Sequence, residues 1–127
     1  MDMARTPGNW FYRSATGGSI ALYGEAQTDA RFSLRCDTSA RSITLSRAGD
    51  AASAVPMRIL TETAERTLNA QPIRGELPGV AVSVQPRDPI LDAMALTKGR
   101  FAVETAGMPT LYLPAWAEVT RVIEDCR

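Results

Sequence analysis

The side chains that most often carry out chemistry in proteins are scarce in this sequence. It contains no histidine, so a Ser-His-Asp triad, a Cys-His pair and a histidine-ligated zinc site are all excluded. The single lysine, Lys98, has no serine three residues before it, and no glycine-rich phosphate loop is present. We therefore expect a protein that is not an enzyme and that uses no cofactor or metal.

Two groups of charged residues still deserve a functional interpretation. Glu124 and Asp125 stand beside Arg121 and Arg127, which suggests an acid pair tuned by arginines. Consecutive residues of a helix do not face each other, however, so a solvated helix end is the favoured interpretation.

Arginine supplies thirteen of the fourteen cations, and fourteen acidic residues balance them. The outward-facing Arg31, Arg35 and Arg58 form an anion-binding surface if their strands are neighbours, and otherwise belong to an ordinary mixed surface. With no net charge, the chain has no overall field that would attract nucleic acid, so we expect no nucleic-acid partner.

The two cysteines, Cys36 and Cys126, leave two interpretations open. They are either buried free thiols in a cytosolic protein or one disulfide in an exported domain. We favour the disulfide, because terminal segments fray unless they are held to the rest of the fold.

Apolar and polar residues alternate with a period of two along much of the chain, which indicates a mainly β domain that contains both cysteines. It predicts an antiparallel sheet with one buried face that carries Phe32, Leu34, Ile43, Leu45, Met57, Ile59, Val80, Val82 and Val84. The predicted strands are residues 10–14, 19–23, 30–36, 41–47, 55–63, 67–71, 79–85, 100–105 and 110–113. Strands at this spacing are typical of a sandwich or barrel.

Two helices interrupt the strand pattern, over residues 88–98 and 114–126. Asp88-Pro89 is a helix start signal, and Lys98-Gly99 is a matching stop signal. The second helix is expected to begin at Pro114 and to bury Trp116 and Ile123. The fold class is therefore mainly β, an antiparallel sandwich or barrel of seven to nine strands with two short helices. Its 127 residues are expected to form one domain, with residues 1–9 flexible.

The aromatic run Trp10-Phe11-Tyr12 also has two interpretations. It is either a platform for a ligand or part of the core and the sheet edge. We favour the second, because alternation along a strand sends Phe11 to one face and its two neighbours to the other.

The compartment is left open by the ends of the sequence. No apolar run is long enough to cross a bilayer, and residues 1–9 have no apolar segment typical of a signal peptide. We expect either a cytoplasmic protein or a periplasmic or cell-envelope protein whose signal peptide has been removed.

The order of several segments resembles that of a known family. These segments are the strand Phe32-Ser-Leu-Arg-Cys36, the strand that ends in Val82-Ser-Val84, the helix 88–98, the strand 100–104, and Leu111-Tyr-Leu-Pro114 before the last helix. Over residues 30–127 this order is similar to that of the invasion-associated locus B proteins of alphaproteobacteria. The resemblance implies an exported, β-rich protein of the cell envelope rather than an enzyme.

These observations predict a noncatalytic binding or structural module of the cell envelope. Its expected partner is another envelope protein or a cell-wall component. The alternative is a proteinaceous inhibitor of an extracytoplasmic protease or lysozyme, which would present a rigid exposed loop at residues 48–54 or 71–79.

The absence of histidine, clustered cysteines and phosphate loops leads to a first prediction. Purified protein should contain no stoichiometric transition metal and no bound organic cofactor. Elemental analysis and an absorbance spectrum test this directly. One equivalent of zinc, iron or flavin would contradict it.

Overall fold

A computed structural model of the protein describes residues 3–127, which form nine strands and two short helices. The strands are β1 (Asn9–Ala15), β2 (Gly18–Gly24), β3 (Phe32–Asp37), β4 (Ser42–Ala48), β5 (Val55–Leu60), β6 (Glu65–Ile73), β7 (Gly79–Val84), β8 (Arg100–Thr105) and β9 (Leu111–Pro114). The helices are α1 (Pro89–Leu96) and α2 (Ala117–Asp125). The expected mainly β fold is therefore confirmed.

All nine strands belong to one antiparallel sheet that curls into a half-barrel. Their order across the sheet is β1-β2-β3-β4-β7-β6-β5-β8-β9. Strands β1 to β4 follow one another, whereas β5, β6 and β7 fold back as hairpins so that β7 pairs with β4. This return is a Greek-key connection, and it brings the loop after β4 next to the loop between β6 and β7.

The residues expected on the core face lie there. Eight of the nine apolar residues predicted from the alternation are buried, and the ninth, Val82, is partly buried against the same core. Both helices add to this cluster, with Leu91 and Met94 from α1 and Val122 and Ile123 from α2. The helices therefore fill the core side of the curled sheet.

The two outermost strands approach each other along a seam. The indole nitrogen of Trp10 in β1 donates to the carbonyl of Pro114 in β9 over 2.8 Å. The backbone amide of Thr6 donates to the carbonyl of Tyr112, and the amide of Tyr112 donates to Oγ1 of Thr6. Thr6 is buried, although it belongs to the segment expected to be flexible.

A buried tyrosine fixes the segment that precedes β1. The hydroxyl of Tyr23 donates to the carbonyls of Thr6 and Gly8. The ring of Trp10 packs edge-on against the ring of Tyr23, with 5.1 Å between the ring centroids. Burial raises the pKa of Tyr23, so this hydroxyl stays protonated and keeps donating at high pH.

The first helix begins as its sequence predicts. The carboxylate of Asp88 accepts a hydrogen bond from the amide of Ile90 at the N-terminus of α1. It also accepts hydrogen bonds from both terminal nitrogens of Arg66. The helix ends at Leu96, before Lys98, because the backbone of Thr97 is extended, and the Thr97 hydroxyl accepts a hydrogen bond from the amide of Glu62. Gly99, with φ of 77°, then redirects the chain into β8.

The second helix begins three residues later than expected. Pro114 pairs with Arg100 as part of β9, and the amide of Ala115 still donates to the carbonyl of Gly99. Strand pairing therefore continues past the proline, and Trp116 becomes the N-cap of α2. Among residues 3–127, neither helix is long and apolar enough to cross a membrane.

Three consecutive residues anchor the C-terminal end of α2 to four different elements. Cys126 forms a disulfide with Cys36 of β3, as predicted. Asp125 accepts hydrogen bonds from Tyr12 of β1 and Ser19 of β2. Arg127 pairs with Asp92 of α1 and also donates to the carbonyl of Pro86.

Replacing Asp88 should separate its two roles. Asp88→Ala removes both the cap and the ion pair and should lower the free energy of unfolding by about 1 to 2 kcal/mol, whereas Asp88→Asn keeps the cap and should cost less. Its hydrogen bonds to Arg66 lower the pKa of Asp88. Its ionic contribution is therefore present above its unfolded pKa of about 4 and is lost as the pH falls through the folded pKa.

Urea unfolding at pH 7 and at pH 2 to 3 measures both effects. The difference between the native protein and Asp88→Asn should shrink at the acidic end. A difference that is the same at both pH values, or an Asp88→Ala variant as stable as the native protein at pH 7, would contradict this account.

The disulfide closes a sequence separation of 90 residues. A loop of this size restricts the unfolded chain by about 4 to 5 kcal/mol in the entropy model, which is an upper figure for the stability lost in a Cys36→Ser/Cys126→Ser variant. Reductant should lower the melting temperature of the native protein towards that of the variant and leave the variant itself unchanged. Two alkylatable thiols in never-reduced protein would contradict the bridge.

Candidate binding groove

The three arginines proposed as one anion-binding surface are not brought together. Arg35 lies on β3, with Arg31 just before that strand, but Arg58 lies on β5, four positions further across the sheet. Arg58 also pairs with Glu65 and Glu104, and both carboxylates raise its pKa. It is therefore a neutralised part of the surface of β5, β6 and β8.

The acidic pair at the end of α2 is divided between two roles. Asp125 faces the sheet and accepts from the hydroxyls of Tyr12 and Ser19, while the ring of Tyr12 stacks against Arg121 at 3.9 Å. Glu124 is exposed and lies 4.0 Å from Arg127. Because both hydroxyls donate to one carboxylate, this cluster holds α2 against β1 and β2.

A buried arginine on the core face was not anticipated from the sequence. Arg47 is only 6% exposed, and it has no carboxylate partner among residues 3–127. Its guanidinium donates to the carbonyls of Ala48 and Pro109, which holds the loop between β8 and β9 against β4. Burial is the main cause that lowers the pKa of Arg47, and the charge of Arg31 adds to it.

A groove of about 1160 Å³ lies on the outer face of the sheet. We call it the outer groove. Its floor contains Phe11, Leu22, Ser33 and Ser46, which lie side by side on β1, β2, β3 and β4. These residues alternate with the buried ones, so the floor lies on the face opposite the core.

Two loops form the walls of the outer groove. One is residues 25–30, between β2 and β3, where the amide and the hydroxyl of Thr28 both donate to the carbonyl of Glu25. The other is the segment from Ile73 to Gly79, whose Pro78 carbonyl accepts the amide of Gly49. Both walls are held by hydrogen bonds.

The outer groove gathers much of the exposed apolar surface. Five large apolar side chains are exposed among residues 3–127, and three of them line it: Phe11 at 42%, Ile73 at 41% and Leu77 at 64% exposure. Monomeric proteins seldom leave apolar side chains clustered in this way unless the surface binds something. Alternation along β1 did predict that Phe11 points away from Trp10 and Tyr12.

Residues 3–127 contain no group of three or more acidic, cysteine or histidine side chains that could hold a metal ion. The groove instead combines apolar side chains with four charged ones, Arg13, Glu25, Asp29 and Arg47. Such a lining is typical of a small-molecule binding site.

Comparison of the chain with family models, with curated proteins and with solved structures finds no match.

Proposed function

We propose that this protein is a noncatalytic binding module of the cell envelope that holds an apolar ligand in the outer groove. The observation that carries the proposal is the clustering of Phe11, Ile73 and Leu77 in one groove of about 1160 Å³. Small-molecule sites have volumes of about 300 to 1000 Å³ and are lined mainly by apolar residues. The outer groove is slightly larger than this range.

The disulfide supports the proposed location. Disulfides form and persist in oxidising compartments and are rare in the cytosol. Cys36 and Cys126 are joined and almost fully buried, which fits a structural bridge in a periplasmic protein. The resemblance to the invasion-associated locus B proteins points to the same compartment.

The apolar character of the outer groove also narrows the choice of ligand. A cell-wall glycan is rich in hydroxyl groups, and the floor offers few partners for them besides Ser33 and Ser46. The shape and apolar lining favour the hydrocarbon part of a small molecule over the envelope protein or cell-wall component expected from the sequence.

Binding of N-phenyl-1-naphthylamine, whose fluorescence rises in apolar surroundings, tests the proposal. The native protein should bind the probe at one saturable site. Phe11→Asp should weaken binding about tenfold or more, because it removes the burial of a large apolar side chain against the probe. Leu96→Asp is the matched control, since Leu96 is also exposed, at 79%, but lies at the end of α1.

Equal binding by the Phe11→Asp and Leu96→Asp variants, or no saturable binding by the native protein, would overturn the proposal. If Phe11→Asp fails to fold, as judged by circular dichroism, Leu77→Asp provides the same test from the loop wall. Leu77 is 64% exposed, so its replacement should not disturb the core.

One observation favours the alternative of a hydrolase inhibitor. The two loops expected to act as inhibitory loops lie side by side, and Arg74 in one donates to the carbonyl of Ala52 in the other. Leu77 projects from this supported surface. Inhibition of a protease or lysozyme that is lost in Leu77→Asp and retained in Leu96→Asp would favour this function.

A further inference from the structure

Two arginines lie on the outer face next to the floor of the outer groove. Arg13 on β1 and Arg35 on β3 flank Ile20 of β2 in register. Their Cα atoms are two strand spacings apart, which is roughly 10 Å. Each is two residues further along its strand than a floor residue, Phe11 for Arg13 and Ser33 for Arg35, so both share the face of the groove.

Neither arginine has its charge balanced by a carboxylate partner in the part of the chain that the structure describes. Arg58, Arg66 and Arg127 pair with carboxylates, whereas neither Arg13 nor Arg35 forms an ion pair within residues 3–127. The acidic residue on the same face of β3, Asp37, accepts the backbone amide of Ala40. Beyond Arg35 on the sheet, the neighbouring side chains are the hydrogen-bonded hydroxyls of Thr44 and Ser83, which are neutral.

Two carboxylates lie at the other end of the outer groove, where the guanidinium of Arg47 donates to the carbonyls of Ala48 and Pro109. Glu25 and Asp29 belong to the loop that follows Gly24, and Gly24 pairs with Asn9, four residues before Arg13. Four residues of a strand span about 13 Å. Within residues 3–127, the outer groove therefore has two arginines without carboxylate partners beside one end of its apolar floor, and the exposed carboxylates of Glu25 and Asp29 at the other.

We propose that the ligand of the outer groove is a free long-chain carboxylate. This inference rests on the proposed function. The hydrocarbon tail lies on Phe11 and Leu22 and extends towards Ile73 and Leu77, while the carboxylate accepts hydrogen bonds from Arg13 and Arg35. Planar guanidinium groups match carboxylates in shape, and Glu25 and Asp29 repel an anion from the other end. The charges therefore fix both the choice of head group and its direction.

Displacement of N-phenyl-1-naphthylamine by matched twelve-carbon ligands tests the choice of head group. The dissociation constant of dodecanoate, measured from displacement of the probe from the native protein, should be about tenfold lower than that of 1-dodecanol. Dodecylammonium should bind more weakly than dodecanoate. Raising the salt concentration should weaken the binding of dodecanoate and leave the binding of dodecanol unchanged. Arg13→Gln/Arg35→Gln should abolish the preference for dodecanoate without weakening dodecanol.

Arg87→Gln is the matched control, because Arg87 is exposed and lies outside the groove, in the loop before α1. It should keep the preference of the native protein. If the double variant fails to fold, the salt dependence of the native protein and the single variant Arg13→Gln decide the question.

The outcomes separate this inference from the function on which it rests. Suppose that probe binding is lost in Phe11→Asp but dodecanol or dodecylammonium binds as tightly as dodecanoate. The outer groove would then still be a binding site, and the proposal that its ligand is a carboxylate would be rejected. Failure of the native protein to bind the probe would reject both. Binding to anionic lipid vesicles without displacement of the probe by dodecanoate would assign the arginines to a membrane surface and also overturn the inference.

Discussion

The attachment of α2 to the sheet is the constraint on which the arrangement of the core depends. A nine-residue helix is marginal by itself, because nucleating a helix fixes several residues for each hydrogen bond gained. Val119, Val122 and Ile123 supply its buried face, and Asp125, Cys126 and Arg127 each contact a different element at its end. The disulfide restricts the distance of α2 from β3, while the two charged residues fix its orientation.

This attachment also determines which face of the sheet stays open. With α1 and α2 on the core side, the inner face of the curled sheet is filled by side chains. The outer face of β1 to β4 is left uncovered by either helix, and the loops after β2 and β6 rise beside it. A small domain with one sheet thus keeps its core closed and leaves the opposite face of the same strands open.

Alternation predicted the strands, their buried residues and the outward orientation of Phe11, because the side-chain period of a strand is a local property. The order of the strands was not predicted, since pairing of β4 with β7 depends on contacts between distant segments. The separation of Arg58 from the other arginines and the proximity of Arg13 to Arg35 went unpredicted for the same reason, because a surface shared by several strands is defined only once their order is known. Arg47 was missed for a different reason: alternation places it inward, but its partners are backbone carbonyls, which leave no sequence signal.

The seam between β1 and β9 has a consequence for association between copies of the chain. A sheet edge with free amides and carbonyls is a template for pairing with another strand and hence for aggregation. At β9 the backbone groups of Tyr112 are occupied by Thr6, partly through its side chain, and the carbonyl of Pro114 is occupied by the indole of Trp10. Loss of the segment that contains Thr6 would leave both backbone groups of Tyr112 unpaired at the edge. The segment that contains Thr6 thus blocks edge-to-edge pairing of β9 with another strand.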